Sequence, residues 1–433
     1  SDEGIGRIAY NPETHEITGS NPVHRIYQGW GEYAGFDGHI SVKVNKRIID
    51  GGVYAGDSIL PAGCVSINTP NHGQTFPRKF VPERNLHEVG AWVKFHVEAG
   101  ETVVVKASSS FTDIAHAQKN MLAEIPGWDF DAVCSSLKDT WQQRLGRIEA
   151  ESRDTTLLRN FYTSLYHSSF LPRTYNDCDG SYPAYADGKT IRHTSGTYYD
   201  DYSLWDTFRA QHPLLCLLAP SMAGDMVQSM LDKYDDGGWL PIFPCWNSYT
   251  SEMIGDPACS IIADAYFKGI RNFDQDKAYK ALMQNAFELP ASADDYRQGK
   301  GRRALDSYMK HGYIPVQDEV LDAYHTGEQT SRTLEYAYAD FCLSRYARAL
   351  GHDADADRLL QRSYSYRNVY NPQLGWVDGR NADGTWMNGD PFSFQKYITE
   401  GKPCHYTWYV PHDLEGLAQL MGGHEAFTER LDS

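Results

Sequence analysis

The 433-residue chain predicts a multidomain α and β protein: an N-terminal antiparallel β-sandwich, a helical linker, then a ring of helical hairpins, an α/α toroid. Three observations carry that expectation. Up to about residue 110, short runs alternate apolar and polar residues, the period of a half-buried strand. From Asp113 onward, apolar residues recur at helical spacing instead. The length also exceeds the roughly 250–300 residues at which a single hydrophobic core stops growing. Domains are expected at 1–112, 113–153 and 154–433.

In the first region Ile40-Ser41-Val42-Lys43-Val44 alternates, as do Trp92-Val93-Lys94-Phe95-His96-Val97 and the stretch 103–106. Glycine clusters at 29–38 and 51–56 read as the turns between such strands, and several short strands of this kind suggest a sandwich. Helices are expected at 131–149 and 154–168, with Asp or Thr near their starts as caps. Further helical stretches follow at 202–218, 221–234, 258–272, 274–287, 328–350, 354–368, 413–420 and 425–431. Aromatic and Gly- or Pro-rich loops separate them, notably 237–249 and 374–393. No constant-period repeat is present, which argues against a regular solenoid. The helices from residue 154 fall short of a closed double ring of twelve, and residues 5–10 read like the middle of a sheet domain. The chain is therefore expected to be part of something longer.

Composition narrows the function. Against 57 Asp and Glu stand 40 Lys and Arg, a formal charge of −17, which repels nucleic acid and anionic membranes. No apolar run approaches the roughly 18 residues of a membrane span; residues 213–220 come nearest. The eight cysteines are dispersed without a C-x-x-C pair, so zinc-ribbon and thioredoxin chemistry drop out. The opening Ser1-Asp2-Glu3 carries no targeting signal. Tyr and Trp number 29 and 10 against 17 Phe; rings with one polar edge suit sugar stacking, and equally suit packing inside large helical domains.

Nucleotide, metal and serine-hydrolase motifs fail when read literally. A P-loop ending at Gly188-Lys189-Thr190 would need glycine where Pro183 stands. An EF-hand loop over Asn381, Asp383, Gly384 and Asp390 would begin at Gly379 rather than Asp. His87-Glu88 and His424-Glu425 lack the second His of a zinc protease, and no G-x-S-x-G elbow exists. What remains is carboxylates among aromatics: Asp206 in Ser203-Leu-Trp-Asp-Thr-Phe-Arg209, Glu335 in Arg332-Thr-Leu-Glu-Tyr-Ala-Tyr-Ala-Asp340, and Glu400 ahead of Tyr406-Thr-Trp-Tyr-Val-Pro-His-Asp413. Glycoside hydrolysis needs two carboxyl groups, one protonated and one ionised, and an aromatic, apolar wall favours the protonated form. Each candidate has a plainer reading beside this one. Glu335 fits a buried helix-to-helix hydrogen bond, Asp206 a local ion pair with Arg209, and Asp256 a helix cap.

These segments, with Gly238-Trp-Leu-Pro241, Met253-Ile-Gly-Asp256, Ile262-Ala-Asp-Ala265 and Thr399-Glu-Gly401, lie in order over 203–413. Together they resemble glycoside hydrolase family 92, the calcium-dependent α-mannosidases. The resemblance implies a β-sandwich, a helical linker and an (α/α)6 toroid, incomplete here at both ends. It implies exo-acting hydrolysis with inversion, releasing terminal α-linked mannose from a mannose-containing oligosaccharide such as an N-glycan, with Ca2+ as cofactor. It makes Glu400 the general acid and places Trp205 and Asp206 in the pocket for the terminal sugar, with Arg209, Trp239 and His412 as neighbours. It also implies a periplasmic or secreted protein.

Many relatives read Asn-Ala-Trp-Gln-Tyr-Thr-Trp after the acid and its glycine. Here the run is Lys402-Pro-Cys-His-Tyr-Thr-Trp, a departure that bears on the leaving sugar. The family's catalytic base, an Asp pair in a Gly-rich segment, and its main calcium and sugar segment fall beyond Ser433. The chain alone is accordingly expected to be an inactive fragment. Two alternatives remain at the level of sequence: another (α/α)6 glycosidase acting on α-glucosides, and a non-catalytic glycan-binding protein.

Overall fold

The computed structural model describes residues 5–27, 32–61, 64, 66–70, 89–322 and 324–432. The chain forms two compact units, Ser1–Asp201 with Cys245–Ser248, and Tyr202–Pro244 with Tyr249–Ser433.

Among the described residues the first unit opens with eight strands: β1 (Ile5–Asn11), β2 (Glu16–His24), β3 (Tyr33–Val44), β4 (Ile48–Ala55), β5 (Ser58–Ile59), β6 (Ser66–Pro70), β7 (Val89–Phe95) and β8 (Val105–Ser110). They make two antiparallel sheets, β6-β1-β2-β3-β8 and β5-β4-β7. The alternating run at 40–44 lies in β3, where Val42 faces Ala107 of β8 across the ladder. The two sheets pack through Tyr10 of β1 and Val53 of β4, both buried.

The glycines of 51–56 do not all mark a turn, as the sequence had suggested. Gly51 and Gly52 sit inside β4, paired with Val93 and Trp92. A Cβ on Gly51 would lie 2.5 Å from the Tyr10 ring, and one on Gly52 would lie 3.2 Å from the Trp92 indole. Gly51 lets the two sheets approach closely over the Tyr10 ring, and Gly52 leaves room for the indole on the neighbouring strand of its own sheet.

Three helices follow, each begun by an aspartate that accepts backbone N–H groups of the first turn. They are Ile114–Glu124 after Asp113, Phe130–Leu145 after Asp129 and Thr155–His167 after Asp154. Two small antiparallel pairs, Ser181–Pro183 with Ile191–His193 and Arg173–Thr174 with Tyr199–Asp200, complete the unit. Stacked rings, Phe111 on Tyr175 and Tyr182 on Tyr198, fill its second core beside Phe36.

The second unit is helical, in keeping with the expected order of a sheet domain and then a helical domain. Its centre is the helix Gln329–Ala349, buried along nearly its whole length. It forms a hairpin with Asp353–Ser363 and packs on Ala258–Phe267. The single helix expected over 202–218 is broken into Leu204–Thr207 and Gln211–Leu218, because Ala210 leaves the helical region at φ −143°. The stretch 354–368 likewise ends as an α-helix at Ser363 and continues as the 3-10 turn Tyr364–Val369. No helix among the described residues is long and apolar enough to cross a membrane.

Candidate active site

The short helix Leu204–Thr207 turns Trp205 and Arg209 toward the long helix, where both meet Glu335. The Trp205 indole Nε1 donates to Glu335 Oε1 at 3.0 Å. Arg209 Nη2 reaches the same oxygen at 3.5 Å, while Arg209 Nε donates to the Trp205 carbonyl at 3.1 Å. Arg209 also lies 4.8 Å from the Trp205 ring centre and 5.1 Å from that of Tyr409, a cation held over aromatic faces. A third donor comes from the short helix Pro403–Tyr406, whose Tyr406 hydroxyl donates to Oε1 at 3.2 Å. Burial pushes the Glu335 pKa up, against the pull of Arg209. Burial also pushes the Tyr406 phenol far up, with Glu335 adding to it. The tyrosine therefore remains a proton donor.

Glu400 is attached to the face of the long helix that carries Glu335. Ser331 and Glu335, four residues apart, lie on one face of it. The Ser331 hydroxyl accepts the backbone N–H of Thr399 at 2.9 Å and also meets the Tyr406 side chain. The Tyr397 carbonyl accepts from the N–H groups of Thr330 and Ser331, and the Lys396 carbonyl from that of Glu328. Segment 396–399 thus satisfies donors that the first turn of a helix leaves open. Immediately after the buried Thr399, Glu400 adopts a left-handed backbone, φ 45°, and its side chain is exposed. A non-glycine residue in that region is uncommon, and here it turns the carboxyl outward from an anchored segment.

The other expected site residues fall as follows. Asp206 is exposed and accepts from Ser203 Oγ at 2.9 Å. The local ion pair with Arg209 is not formed, since Arg209 turns to Glu335 instead. Trp239 brackets the Tyr249 hydroxyl with its own backbone N–H and carbonyl, and its ring lies over Gly301. Among the described residues it shares none of the Glu335 contacts. His412 stands one ring back, with Tyr338 about midway, 6.0 Å from both His412 and Tyr409. Its Nε2 meets the Ser363 carbonyl at 3.0 Å, and burial lowers its pKa, so it sits there neutral.

Asp256 does not cap the next helix. Its Oδ2 accepts from Arg302 Nε at 2.9 Å, and the N-cap position is Pro257. Arg302 reaches Asp340 at 2.6 Å, and Asp340 also holds Arg362 and the Tyr308 hydroxyl. Sequence reading missed these arginines and Tyr406, although Tyr406 opens one of the quoted runs. Among the described residues, no group of three or more His, Cys, Asp or Glu side chains is placed to hold a metal ion.

Residues 116–433 match the glycosyl hydrolase family 92 catalytic domain, well over half of the chain. The chain belongs to glycosyl hydrolase family 92. All of it is similar to a family 92 inverting mannosidase from Bacteroides thetaiotaomicron, at TM-score 0.86 and 31% identity over 54% of that protein. A second family 92 α-mannosidase from that organism, also solved in complex with mannoimidazole, gives TM-score 0.82 at 28% identity, covering 99% of this chain and 53% of that one. A secreted glycosidase from Arthroderma benhamiae is 29% identical over 382 residues, 78% of this chain and 44% of that one. The chain spans about half the length of the relatives it matches.

Proposed function

We propose that this family 92 chain provides the acid side of an exo-acting, inverting α-mannosidase that releases terminal α-linked mannose from glycans. Glu400 carries this reading. Its exposed carboxyl follows a segment pinned to the helix of Glu335, the carboxylate on which Trp205 and Arg209 converge. The inverting mannosidase and the mannoimidazole complex among the relatives support mannose as the sugar.

In the proposed reaction the Trp205 ring stacks on an apolar face of the sugar, while Asp206 and Arg209 offer hydrogen bonds to its hydroxyls. Glu400, protonated, gives its proton to the glycosidic oxygen as the bond to the anomeric carbon breaks. Inversion requires a second carboxylate, about 6.5–9.5 Å away, to take a proton from the attacking water. Glu335 is unsuited to that task, because its Oε1 already accepts from three donors in a buried setting. We assign the base to the Asp pair expected from the family resemblance. Calcium is part of the same expectation, but the described residues form no cluster to hold it, and no step here runs through it. A secreted or periplasmic location is proposed on the strength of the secreted relative.

The test is release of mannose against glucose from matched aryl α-glycosides by the gene's full product, followed by the Glu400→Gln variant on a natural mannoside. Mannose release and a fall of about 10²–10⁴-fold in the variant are expected, as for loss of a general acid. Glucose release would point to an α-glucosidase. Sugar binding without turnover, unchanged in Glu400→Gln, would point to a glycan-binding protein.

A further inference from the structure

Glu335 lies at the centre of the candidate site and yet is shut away from anything that could enter it. Its side chain is 3% exposed, whereas that of Arg209, which it holds, is 38% exposed. Three donors reach one of its oxygens. The other oxygen faces Gly255 (φ +86°), where a Cβ would stand 3.2 Å from Oε2 and 3.4 Å from the Cβ of Glu335. Glycine in Met253-Ile-Gly-Asp256 therefore leaves the space that the carboxylate occupies.

The donors belong to two separate stretches of chain. Trp205 lies in the short helix that carries Asp206 and Arg209 follows that helix, while Tyr406 lies six residues past Glu400. Tyr406 also meets Ser331, the residue that anchors Thr399 beside Glu400. One buried carboxylate thus ties the aromatic wall to the segment of the acid.

We propose that Glu335 is a positioning residue: it fixes the Trp205 indole and the Arg209 guanidinium as the wall against which the terminal sugar is held, and through Tyr406 it sets that wall relative to Glu400. This rests on the reading of Glu400 and Trp205 given above. The chemistry favours an ionised carboxylate in the role. A carboxylate accepts several donors at once and balances the guanidinium, whereas an amide of the same size keeps one acceptor oxygen and removes the charge. Arg209 can then turn to water, since it is partly exposed, and Trp205 loses its anchor while the fold is retained. Glu335 exchanges no proton with substrate, so its loss should affect sugar binding and leave the pH dependence of turnover where it was.

The decisive variant is Glu335→Gln in the gene's full product, labelled with ¹⁵N at tryptophan. Trp205→Phe identifies the Trp205 indole N–H resonance. In Glu335→Gln that resonance should move upfield and exchange faster with water, with the other indole signals and the melting temperature held. KM for a mannose-terminated substrate should rise about tenfold or more, the scale on which misplaced binding groups act, with the kcat–pH profile unshifted. An unmoved indole, or a moved indole with an unchanged KM, would overturn the proposal, and so would a shifted kcat–pH profile, which would make Glu335 a proton donor or acceptor. If Glu335→Gln fails to fold, Tyr406→Phe removes one donor and leaves the ion pair; it should move the same resonance and raise KM by a smaller factor. A silent Tyr406→Phe would equally refute the idea. A wild-type enzyme that turns over no α-mannoside would sink the mannosidase reading instead, and the indole measurement would still decide whether Glu335 positions Trp205.

Discussion

The first unit fills its interior mainly with rings and aliphatic side chains such as Tyr10, Phe36, Val53, Tyr182 and Tyr198. Its buried Glu16 and Asp177 carboxylates accept from neutral side chains, Ser41 and Gln118 for the one and Ser110 and Asn120 for the other. The second unit has an apolar core as well, but through it run three arginines, Arg302, Arg303 and Arg332, each at most 1% exposed. Their carboxylate partners are Asp256, Asp322 and Asp340. A buried ion pair adds little net stability over a well-packed apolar group of the same size, because both charges lose their water. It does penalise any arrangement in which the partners separate. The unit with apolar packing between its sheets is a scaffold in which nearby packings cost little more. The unit with charged packing fixes the helix of Glu335, since Arg332 and Asp340 are residues of that same helix.

The largest predicted effect tests that contrast directly. Asp340 accepts from Arg302, Arg362 and the Tyr308 hydroxyl. Burial raises its pKa, but the two arginines outweigh this and hold it below the ordinary carboxylate value. Asp340→Asn leaves the Arg362 guanidinium without its carboxylate and Arg302 with Asp256 alone, and should cost about 3–5 kcal/mol, read as a lower denaturant midpoint at unchanged slope. A loss under about 1 kcal/mol would mean that the buried charges carry no more weight than surface pairs, and the contrast would collapse.

A second, smaller effect lies at the N-terminal end of the same helix. His325 stands 3.0 Å from Glu328 and 3.7 Å from Glu252, with Arg332 a further 3.9 Å from Glu328. Burial alone would lower its pKa, but the two glutamates and Asp322 raise it to about 9 from the usual 6.5. A group raised on folding stabilises fully below its unfolded pKa and loses that contribution as pH rises through the folded one. Stability should therefore fall between about pH 6.5 and pH 9, by on the order of 3 kcal/mol. His325→Gln should lack that slope, and parallel pH–melting curves for the two proteins would remove the prediction.

How much of this could be read from sequence follows from the range of the interactions. Strand β3 announced itself because alternation is local, and Asp154 marked a helix start because a cap spans three residues; the helix Ile114–Glu124 after Asp113 was not among the expected ones. The runs holding Trp205, Glu335, Tyr406 and Glu400 were recognisable as a set. Their convergence was not, because the Trp205–Glu335 bond joins residues 130 apart and no helical spacing encodes it. For the same reason Arg302 gave no signal, its partners Asp256 and Asp340 lying 46 and 38 residues away. Asp206 with Arg209 illustrates the converse: a spacing that permits a local ion pair was overridden by a better partner from another helix.

The smallest predicted effect belongs to the first unit and concerns the strand that the sequence rendered as turns. Gly51→Ala places a methyl group 2.5 Å from Cε1 of the Tyr10 ring, inside van der Waals contact. Tyr10 is a buried residue of the facing sheet, so its ring cannot swing out at no cost. Overpacking of this kind costs about 1–3 kcal/mol. Against it stands the lower chain entropy of alanine in the unfolded state, which stabilises by about 0.4–1 kcal/mol. The steric cost wins, and a net loss of about 1–2 kcal/mol is expected in equilibrium unfolding. The double variant Gly51→Ala with Tyr10→Leu, whose side chain is smaller, separates the causes. If the ring is the obstacle, the methyl should cost less in the double variant than in the single one. If the two losses merely add, the sheets are spaced by something other than this glycine. The apolar sandwich would then be held as specifically as the charged helical unit.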